Sequence, residues 1–367
     1  MPLSRRTLLA ATAAAVPALA LTTSATAQPE PDLSTPDGWL SWISAHRDGF
    51  GLVLDDGRGA RLAHRPHAAQ PLASSIKVVH LSAYATAVAE GRLDPAEQVR
   101  VGDWERYYLP TDGGAHAAAL GRLGIPTDPT GLHAADPEHR VALEQMVDAM
   151  IRFSDSAAPD FLRNRLGLPA LHRAALEGGW PDPDLRSLCA EYLFLALPEH
   201  APPPGTPTPL RRKLGFRLER RYSSDPALRK QAMDRLLTRP LPPWDVQCAW
   251  GDGTTAGPAS SLAAIHRALS TGRSKAAGIA RDVLERPLQD HRPPGVAGIG
   301  VKGGSLPGIL TCGLSVRRDD GSTGFGGLIA HRSISADQLA KADPAGVVLR
   351  AIIDPAWRDR LARALRG

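Results

Sequence analysis

The chain has 367 residues, of which 43% are hydrophobic and 22% charged, enough for a sizeable core in one two-lobed unit or two domains. Its formal charge of +5 is mild and excludes the concentrated basic face of a nucleic-acid binder. No cluster of His, Cys or carboxylates has ligand spacing, so neither a metal nor an organic cofactor is expected.

The N-terminus has the layout of an export signal. Ser4-Arg5-Arg6 precedes an apolar run at 8–21, too short and too Ala-rich for a bilayer span, and Ala25-Thr26-Ala27 supplies a small-residue cleavage pattern. The paired arginines before Thr7-Leu8-Leu9 predict a twin-arginine signal over 1–27. The mature chain then starts near Gln28 with a charge of +3 and is secreted or periplasmic. No later stretch is long enough to span a membrane.

A short helix is predicted over 37–46, with Trp39, Leu40, Trp42 and Ile43 on one face. Strands at 49–54 and 60–64 flank the hairpin signal Asp55-Asp56-Gly57. A helix should start at Ser74 and end at Gly91. Helices follow at 142–151 and 157–166. The Pro-rich stretch 198–209 predicts a loop, and 211–230 carries eight Lys or Arg, the pattern of a solvated insertion. Helices at 258–269 and 276–284 lead to strands at 298–302, 309–317 and 324–331 and a helical stretch at 347–366. Of the three cysteines, Cys189 and Cys248 are the pair best placed for a disulfide after export; buried free thiols are equally compatible, and Cys312 is left over.

Three short motifs carry chemistry. In Ser74-Ser75-Ile76-Lys77, helical spacing puts Ser74 and Lys77 on one side, and a lysine with a depressed pKa can take the proton of a serine nucleophile. Ser154-Asp155-Ser156 lies between two helices and offers hydroxyls for proton transfer. Val301-Lys302-Gly303-Gly304-Ser305 lies on a C-terminal strand, where glycines let a ligand approach and Lys302 adds positive potential. Any one of these is common by chance; each also fits a helix cap or a strand end.

Taken together and in this order, the motifs resemble those of class A β-lactamases and penicillin-binding proteins, the serine β-lactamase and transpeptidase-like superfamily. The resemblance runs from about Asp37 to the C-terminus. It implies an α/β (α+β) fold in which N- and C-terminal segments form an antiparallel five-stranded sheet flanked by helices. An all-helical lobe is inserted, with the active site between. The expected division is a sheet lobe at 37–73 and 255–367 and a helical lobe at 74–254, with a Pro-rich basic insertion at about 198–243. The resemblance implies Ser74 as acylated nucleophile, Lys77 as base, Ser154 as proton shuttle and Lys302 as electrostatic anchor. The N–H groups of Ser74 and Ser305 would form the oxyanion hole. Ser156, Gly303, Gly304 and Ser305 would bind substrate, and Tyr108 sits where the family has an aromatic cleft wall. The implied activity is a β-lactamase-like serine hydrolase, or an esterase, D,D-peptidase or non-catalytic wall sensor of the same fold. It would be a monomer acting on a small molecule or cell-wall peptide.

The departures are specific. Ser156 replaces the usual Asn, and Gly303 replaces a hydroxyl residue. No arginine lies between Gly303 and Val316 to hold a substrate carboxylate. Glu191 lies at about the right distance for a deacylating base, but Leu195 stands where its Asn partner belongs, so a glutamate on a helix face is the better expectation.

Overall fold

A computed structural model describes residues 30–366; the signal expected at 1–27, with Arg5 and Arg6, lies outside the described residues, as does Gly367. Helix α1, Pro36–Ala45, starts where Thr35 Oγ1 accepts the Gly38 N–H at 3.0 Å and a proline fits the first turn. It buries Trp39, Trp42 and Ile43. Strands β1, Phe50–Asp55, and β2, Arg61–His64, form a hairpin closed by Asp56, whose carboxylate accepts the N–H groups of Arg58 and Ala60. Gly57 turns the corner at φ +71°, and a side chain there would strike the Thr323 carbonyl.

The helix expected at Ser74 begins differently. Ala73–Ile76 form a 3₁₀ turn, and the α-helix proper, α2, runs Lys77–Ala89. The reason is the tethering of Leu72. Its N–H donates to the Thr255 carbonyl at 2.9 Å, and its own carbonyl accepts the hydroxyls of Ser75 at 2.7 Å and Thr311 at 2.9 Å. Ala73 is held at φ +47°, so the chain enters the helix through a tight, strained turn. Eleven of the thirteen residues of α2 are buried, which makes it a central helix rather than a surface one.

Helices α3, Leu143–Arg152, α4, Ala158–Leu166, and α5, Leu168–Glu177, pack around it, and α6, Leu188–Ala196, packs on α4. The Pro-rich stretch expected as a loop at 198–209 carries only a 3₁₀ turn, Pro198–His200, before Thr208, whereas the basic stretch after it is helical, as α7, Thr208–Ser224, and α8, Pro226–Thr238. Prolines near the start of each helix cost no hydrogen bond there. Leu218, Tyr222 and Leu228 share a small core with Leu193 and Phe194 of α6. Two arginines at this boundary are paired with acids, Arg211 with Glu191 and Arg163 with Glu219. Apolar anchoring and charge pairing together hold these two helices against α6 and α4.

After α9, Trp244–Asp252, helices α10, Ala259–Thr271, and α11, Lys275–Glu285, lead to strands β3, Val296–Leu306, β4, Ile309–Arg318, and β5, Thr323–His331. The five strands form one antiparallel sheet in the order β2-β1-β5-β4-β3, joining N- and C-terminal segments in a mixed α/β fold. The C-terminal helical stretch is two helices, α12, Pro344–Ile353, and α13, Pro355–Arg366. Pro355 cannot continue the first, and Asp354 caps the second by accepting the Trp357 N–H at 3.1 Å. One sheet face packs on α1, α12 and α13, and the other on α10 and α11 with α2 behind them. All three cysteines are free: Cys189 and Cys312 are buried and Cys248 is half-buried, so the structure holds no Cys189–Cys248 bridge.

Candidate active site

The three motifs meet where the start of α2, the loop between α3 and α4, and the edge strand β3 converge. The Lys77 ammonium donates to Ser74 Oγ at 2.9 Å, to the Ser154 carbonyl at 2.5 Å and to Ser154 Oγ at 3.3 Å. Lys302 Nζ reaches Ser154 Oγ from the other side at 3.0 Å and donates to the Gly303 carbonyl at 2.8 Å. Ser74, Lys77, Ser154 and Lys302 therefore form one hydrogen-bonded chain, although residues up to 228 positions apart supply it.

Both lysines are buried. Burial lowers Lys77 to about 8, opposed by the carboxylates of Asp155, Asp112 and Asp160. Lys302 lies well below its ordinary value, because burial and the charge of Lys77 both disfavour its ammonium form. Burial lowers Lys77, and the mutual repulsion of the two lysines is felt at Lys302. Its neighbour His266 is buried with neither ring nitrogen hydrogen-bonded, and burial followed by the Lys302 charge lowers it to about 3, leaving it neutral.

Ser154 is held at φ +66°, a costly conformation for a serine. Asp155 supplies the restraint. Its carboxylate accepts the N–H groups of Ala157 at 2.9 Å and Ala158 at 2.8 Å, the Trp104 indole at 2.9 Å and His116 Nδ1 at 2.6 Å. His116 Nε2 donates to Glu105 at 3.0 Å. Burial alone would lower His116, but the two carboxylates outweigh it and raise the imidazole to about 10. A buried imidazolium thus joins two carboxylates behind the loop that carries Ser154.

On β3, Gly304 permits the closest approach in the site. A Cβ there would lie 2.5 Å from the Ser74 nitrogen and 2.7 Å from that of Ser75. The bare backbone brings the strand against the helix start. Thr311 Oγ1 ties the two together through the carbonyls of Leu72 at 2.9 Å and Gly304 at 3.3 Å. Ser305 follows, half-buried, and Ser156 is buried in the loop after Ser154.

One sequence-derived assignment changes, that of Tyr108, while Glu191 lies on a helix face as expected. Tyr108 is 1% exposed and lies against His116, with ring centroids 4.3 Å apart, in the helical core rather than on a cleft wall. The aromatic wall beside Ser74 comes from Tyr192 and Trp250, which line one pocket with Ala73, Leu188, Thr255 and Leu306. Glu191 does line this pocket, but it is buried and clamped. Arg211 from α7 approaches its carboxylate at 2.5 Å and Arg186 at 3.3 Å. Nothing local in the sequence marks Tyr192, Trp250, Arg186, Arg211, His116 or Glu105. The basic run contains Arg211 without indicating its partner.

Residues 41–208 match a family described as the β-lactamase enzyme family, a span that holds Ser74, Lys77, Ser154 and Glu191 but ends before Lys302. Over that span, a little under half of the chain, the sequence is similar to this family. The fold is similar to that of a β-lactamase from Sphaerobacter thermophilus DSM 20745, at a TM-score of 0.52 and 16% identity, over 89% of this chain and 94% of that one. It is likewise similar to a β-lactamase from Chitinophaga pinensis DSM 2588, at a TM-score of 0.51 and 12% identity, over 90% and 97% of the two chains. No curated protein matches the sequence. Among the described residues, no helix is long and apolar enough to cross a membrane, and no cluster of His, Cys and carboxylates could hold a metal ion.

Proposed function

We propose that this protein is an exported serine hydrolase of the β-lactamase type that forms an acyl-enzyme at Ser74 with a β-lactam or a related amide or ester. The observation that carries the reading is the buried chain Ser74–Lys77–Ser154–Lys302. With Lys77 near 8, about a tenth of it is neutral at pH 7. A neutral Lys77 keeps two N–H groups for the Ser154 carbonyl and hydroxyl and turns its lone pair to Ser74.

In the first step Lys77 takes the Ser74 proton while Ser74 Oγ bonds to the substrate carbonyl carbon. The N–H groups of Ser74 and Ser305 would hold the developing oxyanion. Ser154, supported by Lys302, then relays the proton from Lys77 to the leaving nitrogen or oxygen as its bond to carbon breaks. Water later cleaves the Ser74 ester, releasing the acid and restoring the hydroxyl. Glu191 is the carboxylate in the pocket, and its oxygens are occupied by hydrogen bonds from Arg186 and Arg211 rather than free for a water, so the acyl-enzyme should accumulate. That favours an initial stoichiometric burst over fast turnover.

Intact-protein mass spectrometry after incubation with a penicillin, a cephalosporin and p-nitrophenyl acetate tests the reaction. A single acyl adduct on Ser74, absent in Ser74→Ala, is the expected result. Failure of all three to label Ser74 would overturn the assignment. Export through the twin-arginine route predicts that replacing Arg5 and Arg6 together by lysine stops secretion; normal secretion of that variant would exclude the route.

A further inference from the structure

The cations of the chain are unevenly placed, and α7 carries a group of them without partners. The inner side of α7 packs on α6, with Leu218 and Tyr222 in the small core there. Gly215 lies so close that a Cβ on it would sit 3.2 Å from that of Ala190. The one acid of α7, Glu219, is buried on this inner side, where it holds Arg163 and Asn164 of α4. Lys213, Arg217, Arg220 and Arg221 follow one another at helical spacing, share the opposite face and are all exposed. Among the described residues none of the four pairs with a carboxylate. On α8, by contrast, Lys230 is paired with Asp234 and Arg235 with Glu199. The unpaired charge therefore forms a strip about 12 Å long on α7. Like charges four residues apart, as at Lys213–Arg217 and Arg217–Arg221, weaken a helix, so fold stability does not account for them. Leu210, one turn before Lys213, is 47% exposed on the same face.

We infer that this face of α7 is a docking surface for an anionic lipid bilayer, with the four cations on headgroup phosphates and Leu210 at the boundary with the acyl chains. Charge complementarity selects an anionic partner. A guanidinium binds a phosphate through two parallel hydrogen bonds, and a row of phosphates relieves the repulsion along the helix. Leu210 selects a bilayer over a soluble polyanion, because an exposed leucine gains nothing beside a hydrated polymer but is buried at the headgroup–acyl boundary. The axis of α7 would lie in the plane of the surface, with α6 behind it. A few cations and one leucine give reversible attachment and no insertion. The inference stands apart from the acyl-enzyme reading, since none of these residues lines the pocket at Ser74.

The test is co-sedimentation of the purified protein with vesicles of phosphatidylcholine alone or mixed with phosphatidylglycerol. Binding is expected only to the mixed vesicles and should weaken as salt is raised. Lys213→Gln, Arg217→Gln and Arg220→Gln should each weaken it about fivefold, and Arg217→Gln, Arg220→Gln and Arg221→Gln combined about a hundredfold. Leu210→Ser should weaken it about fivefold. The glutamine variants remove like-charge repulsion, so their thermal midpoints should be unchanged or higher. Equal binding to both vesicle types, binding to neither, or undiminished binding by the combined variant would overturn the proposal. Retention on a polyphosphate resin, unaltered by Leu210→Ser and without vesicle binding, would assign the face to a soluble polyanion and overturn the bilayer reading. If the combined variant unfolds, the single variants decide, and undiminished binding by all of them refutes the docking surface.

Discussion

The two ends of the cleft around Ser74 treat charge in opposite ways. At the Lys302 end, two buried lysines face two serines and carbonyl oxygens, with carboxylates only behind them. Their protons are held loosely and can be passed along. At the Glu191 end, one carboxylate faces two guanidiniums, and its lone pairs are spent on charge-assisted hydrogen bonds. A lysine lowered by burial is a usable base at neutral pH, whereas a carboxylate whose oxygens are held by two guanidiniums has no free oxygen to offer a water. The contrast teaches that having a basic residue near the nucleophile matters less than what else that residue is bonded to. On the acyl-enzyme reading proposed above, the half of the site that would carry acylation is assembled, and the half that would activate water is occupied by arginines.

Removing the base should have the largest effect. Lys77→Met is expected to slow Ser74 acylation about a thousandfold, and Lys77→Arg should not rescue it, because a guanidinium does not give up its proton. In the native protein the acylation rate should rise with pH through an inflection near 8 and level off above it, since the neutral amine is the active form. The same shift has a stability consequence. The folded value of Lys77 lies below its unfolded one, so its burial costs nothing above about pH 10.5. The cost grows as pH falls to 8 and is constant below that. Stopped-flow acylation against pH checks the first claim; a pH-independent rate would show that Lys77 is not the base.

Next in size is the support behind Ser154. Asp155→Ala would leave a buried imidazolium, two helix N–H groups and the Trp104 indole without their acceptor, and should cost about 3–5 kcal/mol in denaturant unfolding. Because His116 is raised to about 10, its contribution is complete below about pH 6.5 and is lost as pH climbs towards 10. His116→Gln should therefore destabilise more at pH 6 than at pH 9.5. An equal loss at both values would mean that the imidazole is not charged in the folded protein.

The smallest expected change addresses the Glu191 end. Arg211→Gln removes the closer of the two cations on Glu191 and should shorten the life of the Ser74 acyl-enzyme by about tenfold, read as faster decay of the adduct by mass spectrometry. Deacylation unchanged in this variant would mean that Glu191 cannot reach the water even when released, and that the clamp is structural only. Arg186 remains at 3.3 Å in the variant, which is why a full conversion to fast turnover is not expected.

Much of this molecule was legible in one dimension because its information is local. Ser74 and Lys77 stand one helical turn apart, so their proximity follows from helix geometry. The hairpin at Asp55-Asp56-Gly57, the strands around Lys302 and the central helix follow from turn chemistry and periodicity in the same way. Where local preference met a tertiary restraint, the restraint won. The tether on Leu72 turned the expected helix start into a 3₁₀ turn. Apolar anchors such as Tyr222, together with acids such as Glu191 and Glu219, hold the basic stretch from Thr208 onward as helices, while the Pro-rich stretch before it stays a loop as expected.

Residue types and local spacing mark the candidate groups and the fold that carries them: a serine with a lysine one turn away, a second serine, a lysine before paired glycines, and strands at the two ends of the chain. Only the tertiary structure decided how these groups behave. It buried both lysines, set His116 between two acids, took Tyr108 into the core and put Tyr192 and Trp250 in its place beside the nucleophile. It also brought Arg211 from a distant helix onto Glu191. The physical reason is that a residue's type sets what it can do, while its proton affinity and its access to substrate depend on desolvation and on neighbours. Those neighbours are brought together by packing across tens to hundreds of residues, a distance over which spacing along the chain carries no information.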